Sequence, residues 1–137
     1  MDATYLAKLA ITRGAILHGH FDDIDHPKFF VIIGETDNHL VGFFYINSNI
    51  HNSIKNKPAQ FEMQMQVRKS DYDFLSYDSF IGADQIETIN KNKVATDIID
   101  KVTQIKGRLT DADLEMLLNA LRESKLFSKI EKETFFK

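Results

Sequence analysis

The chain has 137 residues, 43% of them hydrophobic, with 11 Phe and a formal net charge of −3. That length suits one domain with its own core and excludes two ordinary ones, and the 6 Gly and 2 Pro are too few for long disordered tracts. The lack of cysteine excludes a disulfide scaffold, a thiolate metal site and a cysteine nucleophile, while the acidic balance disfavours indiscriminate polyanion binding and leaves room only for a local basic site.

Residues 3–12 read as a short amphipathic helix carrying Leu6, Leu9 and Ala10, stopped by Gly14. Ala15–Phe21 reads as a first strand, and Asp22–Pro27 as a polar loop. Phe29–Ile33 and Leu40–Ile46 are apolar runs separated by the Asp37-Asn38 turn, which predicts a hairpin. Asn47–Pro58 is nearly devoid of apolar residues and reads as the longest loop, a natural place for function. Phe61, Met63, Met65 and Val67 alternate with Glu62, Gln64, Gln66 and Arg68, which predicts an eight-residue strand with one buried face. Short strands follow at Ser79–Ile81 and Gln85–Ile89.

Beyond Ile89 the pattern turns helical. Asn90 can cap a helix over about 91–102, with Val94, Ile98 and Val102 on one face. Thr110 can cap a second over about 111–124, whose Leu114, Leu117, Leu118 and Leu121 form a core stripe. Phe135-Phe136 near the end must dock or fray. The fold class expected is therefore α+β: one domain over 1–137, a small, mostly antiparallel β-barrel over about 15–89 and helices at the C-terminal side. Met1-Asp2-Ala3-Thr4 has no basic or apolar leader pattern, and no apolar run approaches the roughly 20 residues of a membrane span, so a cytoplasmic, membrane-free protein is expected.

Asp73–Ile81, Gln85-Ile86-Glu87-Thr88-Ile89-Asn90-Lys91, Lys106–Thr110 and Asn119–Arg122 together resemble the C-terminal half of the PemK/MazF-like toxins of bacterial toxin–antitoxin systems. Arg13-Gly14 and His26–Ile33 are similar to that family's first strand and to its Arg-Pro-x-x-x-Val strand. The resemblance implies an SH3-like barrel with helices, a homodimer, and cleavage of single-stranded RNA at short sequences without a metal or other cofactor. It also implies a cognate antitoxin that blocks the RNA groove. The family's Arg before the strand Pro is His26 here, and its Thr or Ser after the next strand falls on Asn47, with Ser48 beside it. A His can serve as acid or base near neutral pH but is a poor substitute for a permanent bidentate cation on phosphate.

The expected cleavage site is thus His26, Asn47 and Ser48, with Arg13, Lys28, Lys55 and Arg68 neutralising phosphates. Each has a plainer reading: a loop His before a Pro, turn chemistry at a strand exit, or ordinary solvated charges. His18 and His20 share one face of a strand; without a third ligand they suggest solvent or part of an RNA groove rather than a metal site. A non-catalytic SH3-like barrel that binds a protein partner or nucleic acid is the alternative function, and an assembly module using the leucine stripe a third.

Overall fold

A computed structural model describes residues 2–137, and six helices and seven strands lie among them. In chain order they are α1 (Ala3–Ala10), β1 (Ala15–Gly19), β2 (Lys28–Glu35), β3 (Leu40–Asn47), α2 (Asn52–Lys55), α3 (Pro58–Glu62), β4 (Gln64–Val67), β5 (Ser79–Gly82), β6 (Glu87–Asn90), α4 (Lys91–Ile99), β7 (Gln104–Arg108), α5 (Asp111–Glu123) and α6 (Lys129–Phe135). The strands form one antiparallel sheet in the order β4-β5-β3-β2-β1-β7, and β6 also pairs with β3. One flank of β3 is therefore shared: Leu40–Phe43 pair with β6, and Ile46 and Asn47 with β5.

The fold is α+β with a mostly antiparallel sheet, as expected, and the sheet is not closed into a barrel. Register shifts at Ile16/Leu17 and Ile32/Gly34 twist and bend it. Both faces are covered. Ile16, Val31, Ile33, Phe44 and Ile46 pack with Leu117, Leu121 and Phe136, while Leu17, Phe30, Ile32, Val41 and Phe43 pack with Ala7, Ile11, Val94 and Ala95. Adjacent residues of β2 and β3 point to opposite faces, so two covered faces explain their unbroken apolar runs.

Three expectations about elements are corrected. The eight-residue strand at 61–68 shrinks to Gln64–Val67, because Pro58 opens the short helix α3 with its pre-set φ. The loop at 47–58 contains α2, capped by His51. The region after Ile89 is not purely helical: β7 pairs with β1 at the sheet edge. Its partner is far away in sequence and its only large apolar residue, Ile105, is half-exposed, so it leaves no local period.

The C-terminal segment docks. Ser128 and Glu131 form a reciprocal capping box for α6, and Phe136 is fully buried. Gly34 and Gly42 make the approach possible, since a Cβ at Gly34 would meet the Phe135 carbonyl oxygen at 2.7 Å and one at Gly42 the Phe135 ring at 2.6 Å. Arg13 then donates to the carbonyls of Ile33, Phe135 and Lys137 at 2.7–2.9 Å, and Arg122 to that of Phe136 at 2.6 Å.

Candidate functional site

The strand register collects polar side chains at one end of the sheet. His18 is paired with Phe29, and Phe29 with Ile46; one residue further on, Gly19 is paired with Lys28, and Asn47 with Phe80. Four neighbouring strands thus end side by side. Their ends enclose an open cleft of about 240 Å³ lined by His18, His26, Lys28, Asn47, Ser48 and Tyr77, among others. Three of the expected site residues, His26, Asn47 and Ser48, therefore share one cleft with Lys28.

Each side chain is held differently. Lys28 Nζ donates to Asn47 Oδ1 and lies 5.4 Å from the centre of the Tyr45 ring. Partial burial lowers the pKa of its ammonium. His18 packs against the Phe29 ring with centroids 4.4 Å apart. Burial lowers its pKa first, and the nearby Lys106 and His20 add to the effect, so the neutral imidazole is favoured. His26 is largely exposed; its Nδ1 lies 3.2 Å from the Pro27 carbonyl oxygen and its Nε2 4.0 Å from Asp25. Tyr77 stands at the rim, 69% exposed.

The remaining expected contacts are distributed. Arg68 is exposed and follows Val67, whose partner Ser79 lines the same cleft, so it stands at the cleft's β4 side. Lys55 belongs to α2, whose His51 and Ile54 line a second, adjoining cleft. Arg13 does not join them. It sits near Ile33, toward the opposite end of β2 from Lys28, and its guanidinium is occupied by three backbone carbonyls. Its place in the fold is a clamp on the C-terminus rather than a phosphate ligand, a correction that came from contacts more than a hundred residues apart.

The second cleft, of about 350 Å³, shares Asn47 with the first and is lined further by Tyr45, Gln64, Gly82, Asp84 and Glu87. Burial raises the pKa of Glu87, and Asp23 and Asp84 add to it. Two contributors escaped the sequence-based site. His18 is read there with His20 as a weak metal pair, a solvent face or part of a groove, and Tyr77 lies within the Asp73–Ile81 segment of the resemblance without a role assigned to it. Among the described residues no three His, Asp or Glu side chains gather as metal ligands, and no helix is long and apolar enough to cross a membrane.

The class these features define is an open antiparallel sheet with helices on both faces and a two-histidine, one-lysine cleft at the strand ends. Comparisons with models of protein families, with curated proteins and with solved structures find no match to this chain.

Proposed function

We propose that the chain is a metal-independent endoribonuclease acting on single-stranded RNA, the toxin of a toxin–antitoxin pair of the PemK/MazF-like kind. The observation that carries this reading is the cleft itself: two imidazoles, an ammonium, an amide and a hydroxyl reach one open space from three separate segments of chain. That set matches what cleavage by the RNA's own 2′-hydroxyl requires. The neutral His18 takes the 2′-hydroxyl proton as the oxygen attacks phosphorus. Lys28, oriented by its bond to Asn47 Oδ1, stabilises charge on the phosphoryl oxygens, and His26 delivers a proton to the departing 5′-oxygen. The products are a 2′,3′-cyclic phosphate and a 5′-hydroxyl. Tyr77 offers a face on which a base stacks, and Arg68 and Lys55 flank the path of the strand.

The rest of the reading follows the family resemblance: an SH3-like barrel curvature, a homodimer, a cytoplasmic location and an antitoxin seated over the cleft. The division of β3 between β6 and β5 and the two register shifts are compatible with such a curled sheet. A non-catalytic RNA-binding role for the same cleft is favoured by one feature, the exposed His26 held by little more than Pro27 and Asp25.

Incubation of the pure protein with long single-stranded RNA in EDTA separates the two. Discrete cuts with cyclic-phosphate ends, lost in His18→Ala and His26→Ala, are expected for the enzyme. RNA that is retained but uncut at high protein concentration selects the binding role, and RNA neither bound nor cut ends both.

A further inference from the structure

The floor of the second cleft is Gly82. A Cβ built there would lie 3.3 Å from Asn47 Nδ2, 3.6 Å from Gln64 Oε1 and 3.7 Å from Asp84 Oδ1. Three polar atoms from three strands or turns thus surround one point that no side chain fills. Their chemical sense is set by their other bonds. Asn47 Oδ1 accepts from Lys28 Nζ, which leaves the amide N–H groups facing the cleft. Gln64 Nε2 donates to the Gln60 carbonyl at 3.2 Å and to Asp84 Oδ1 at 2.9 Å, which leaves Gln64 Oε1 as an acceptor. The cradle therefore presents one donor and two acceptors.

We infer that this cradle is a guanine pocket, reading one base of the RNA strand whose phosphate lies in the adjoining cleft; it rests on the RNA reading above. Guanine alone among the four bases carries an acceptor (O6) followed by two adjacent donors (N1–H and N2–H₂) on one edge, the complement of this set. Cytosine offers one donor and two acceptors, uracil one donor between two acceptors, and adenine a donor beside an acceptor. Ile54 supplies an apolar wall, and a cleft of about 350 Å³ is roomy enough for a base. The carboxylates that would repel phosphate act here on N–H groups, while the phosphates stay beside Lys28 and His26. Asn47 joins the two functions, since the ammonium that faces the phosphate cleft also orients the amide that faces the base.

The test uses fluorescence anisotropy of the full chain in EDTA with labelled 2′-O-methyl heptamers, which cannot be cut. The sequences are UUUGUUU, UUUIUUU with inosine, and all-uridine. The guanine heptamer is expected to bind about tenfold tighter than the uridine one, with inosine, which lacks the N2 amine, in between. Asp84→Asn and Gly82→Ala should each erase that preference while leaving uridine-heptamer binding and the melting temperature nearly unchanged. The alanine methyl occupies the cradle in ordinary contact with Gln64 and Asp84 and pushes the Asn47 amide, 3.3 Å away, back by a few tenths of an ångström. Equal binding of the guanine and uridine heptamers, or a preference that survives both variants, overturns the pocket and leaves the RNA reading intact. Guanosine monophosphate binding as tightly as the heptamer overturns the strand assignment in favour of a free-nucleotide site. Failure of every heptamer to bind removes the pocket and the RNA reading together.

Discussion

His18 is the residue whose surroundings say most about chemistry. Partial burial against Phe29 lowers its pKa below the ordinary value, and Lys106 and His20 push it the same way. The unfolded chain, with an ordinary imidazole, binds the proton more readily than the folded one. Stability tied to this residue is therefore intact above about pH 6.5, the ordinary imidazole pKa, and is lost as pH falls through that value toward the folded pKa. Replacing His18 with Gln should flatten the acid-side fall in denaturation midpoint, measured by urea melts across that window. An unchanged pH profile would mean that the imidazole titrates as in water. Tyr72 gives a second residue-scale prediction. Its buried hydroxyl donates to Asp113 Oδ2 at 2.6 Å and accepts from the Thr110 N–H at 3.0 Å, pinning the start of α5. Tyr72→Phe leaves both partners short of a bond and should cost about 1–3 kcal/mol in chemical denaturation. The sequence marks Thr110 and Asp113 as helix-start residues, but it does not disclose that a tyrosine 38 residues earlier holds them.

At the scale of elements, the C-terminal helix is held to the sheet by both packing and carbonyl capture. Phe136 is fully buried and packs against Phe44 and Phe127. Truncating it to Ala should cost about 3–5 kcal/mol, the usual range for emptying a buried aromatic site. Arg13→Met keeps the length of the stem and removes the donors to Ile33, Phe135 and Lys137. Hydrogen exchange should then quicken over 129–137 before it does in β2 and β3; uniform loss of protection across the sheet would contradict a local clamp. The same elements show what was legible in advance. The β2–β3 hairpin followed from two apolar runs around a short turn, and its register alone brings Lys28 toward Asn47. α4 and α5 followed from their caps and apolar spacing. Hidden were the features made by distant pairing: β7 against β1, the docking of α6 on Gly34 and Gly42, and the work of Arg13. The strand expected over 61–68 failed because a period-two pattern also fits a helical turn followed by a short strand, and Pro58 decided between them.

For the whole molecule, the question is how a chain of net charge −3 would hold a polyanion. Five of its 17 Lys and Arg side chains are engaged elsewhere: Arg13, Arg108 and Arg122 grip backbone carbonyls, while Lys91 and Lys93 pair with Glu35 and Asp97. Lys28 lines the first cleft, and Lys55 and Arg68 stand beside the two clefts in the chain, a small local cationic set against the carboxylates Asp84 and Glu87 of the second. Affinity for a single strand weakens with salt in proportion to the phosphates neutralised, with a log–log slope of about −0.7 for each. Three cations therefore predict a slope of about −2, well short of that of a broad basic surface. Anisotropy titrations of the all-uridine heptamer between low and moderate salt measure it directly. Lys28→Ala should make the slope shallower by about one phosphate's share. A slope near zero would leave the clefts without a phosphate partner. A slope several times steeper would place the strand on another face, where cations such as Lys101 and Lys125 are exposed.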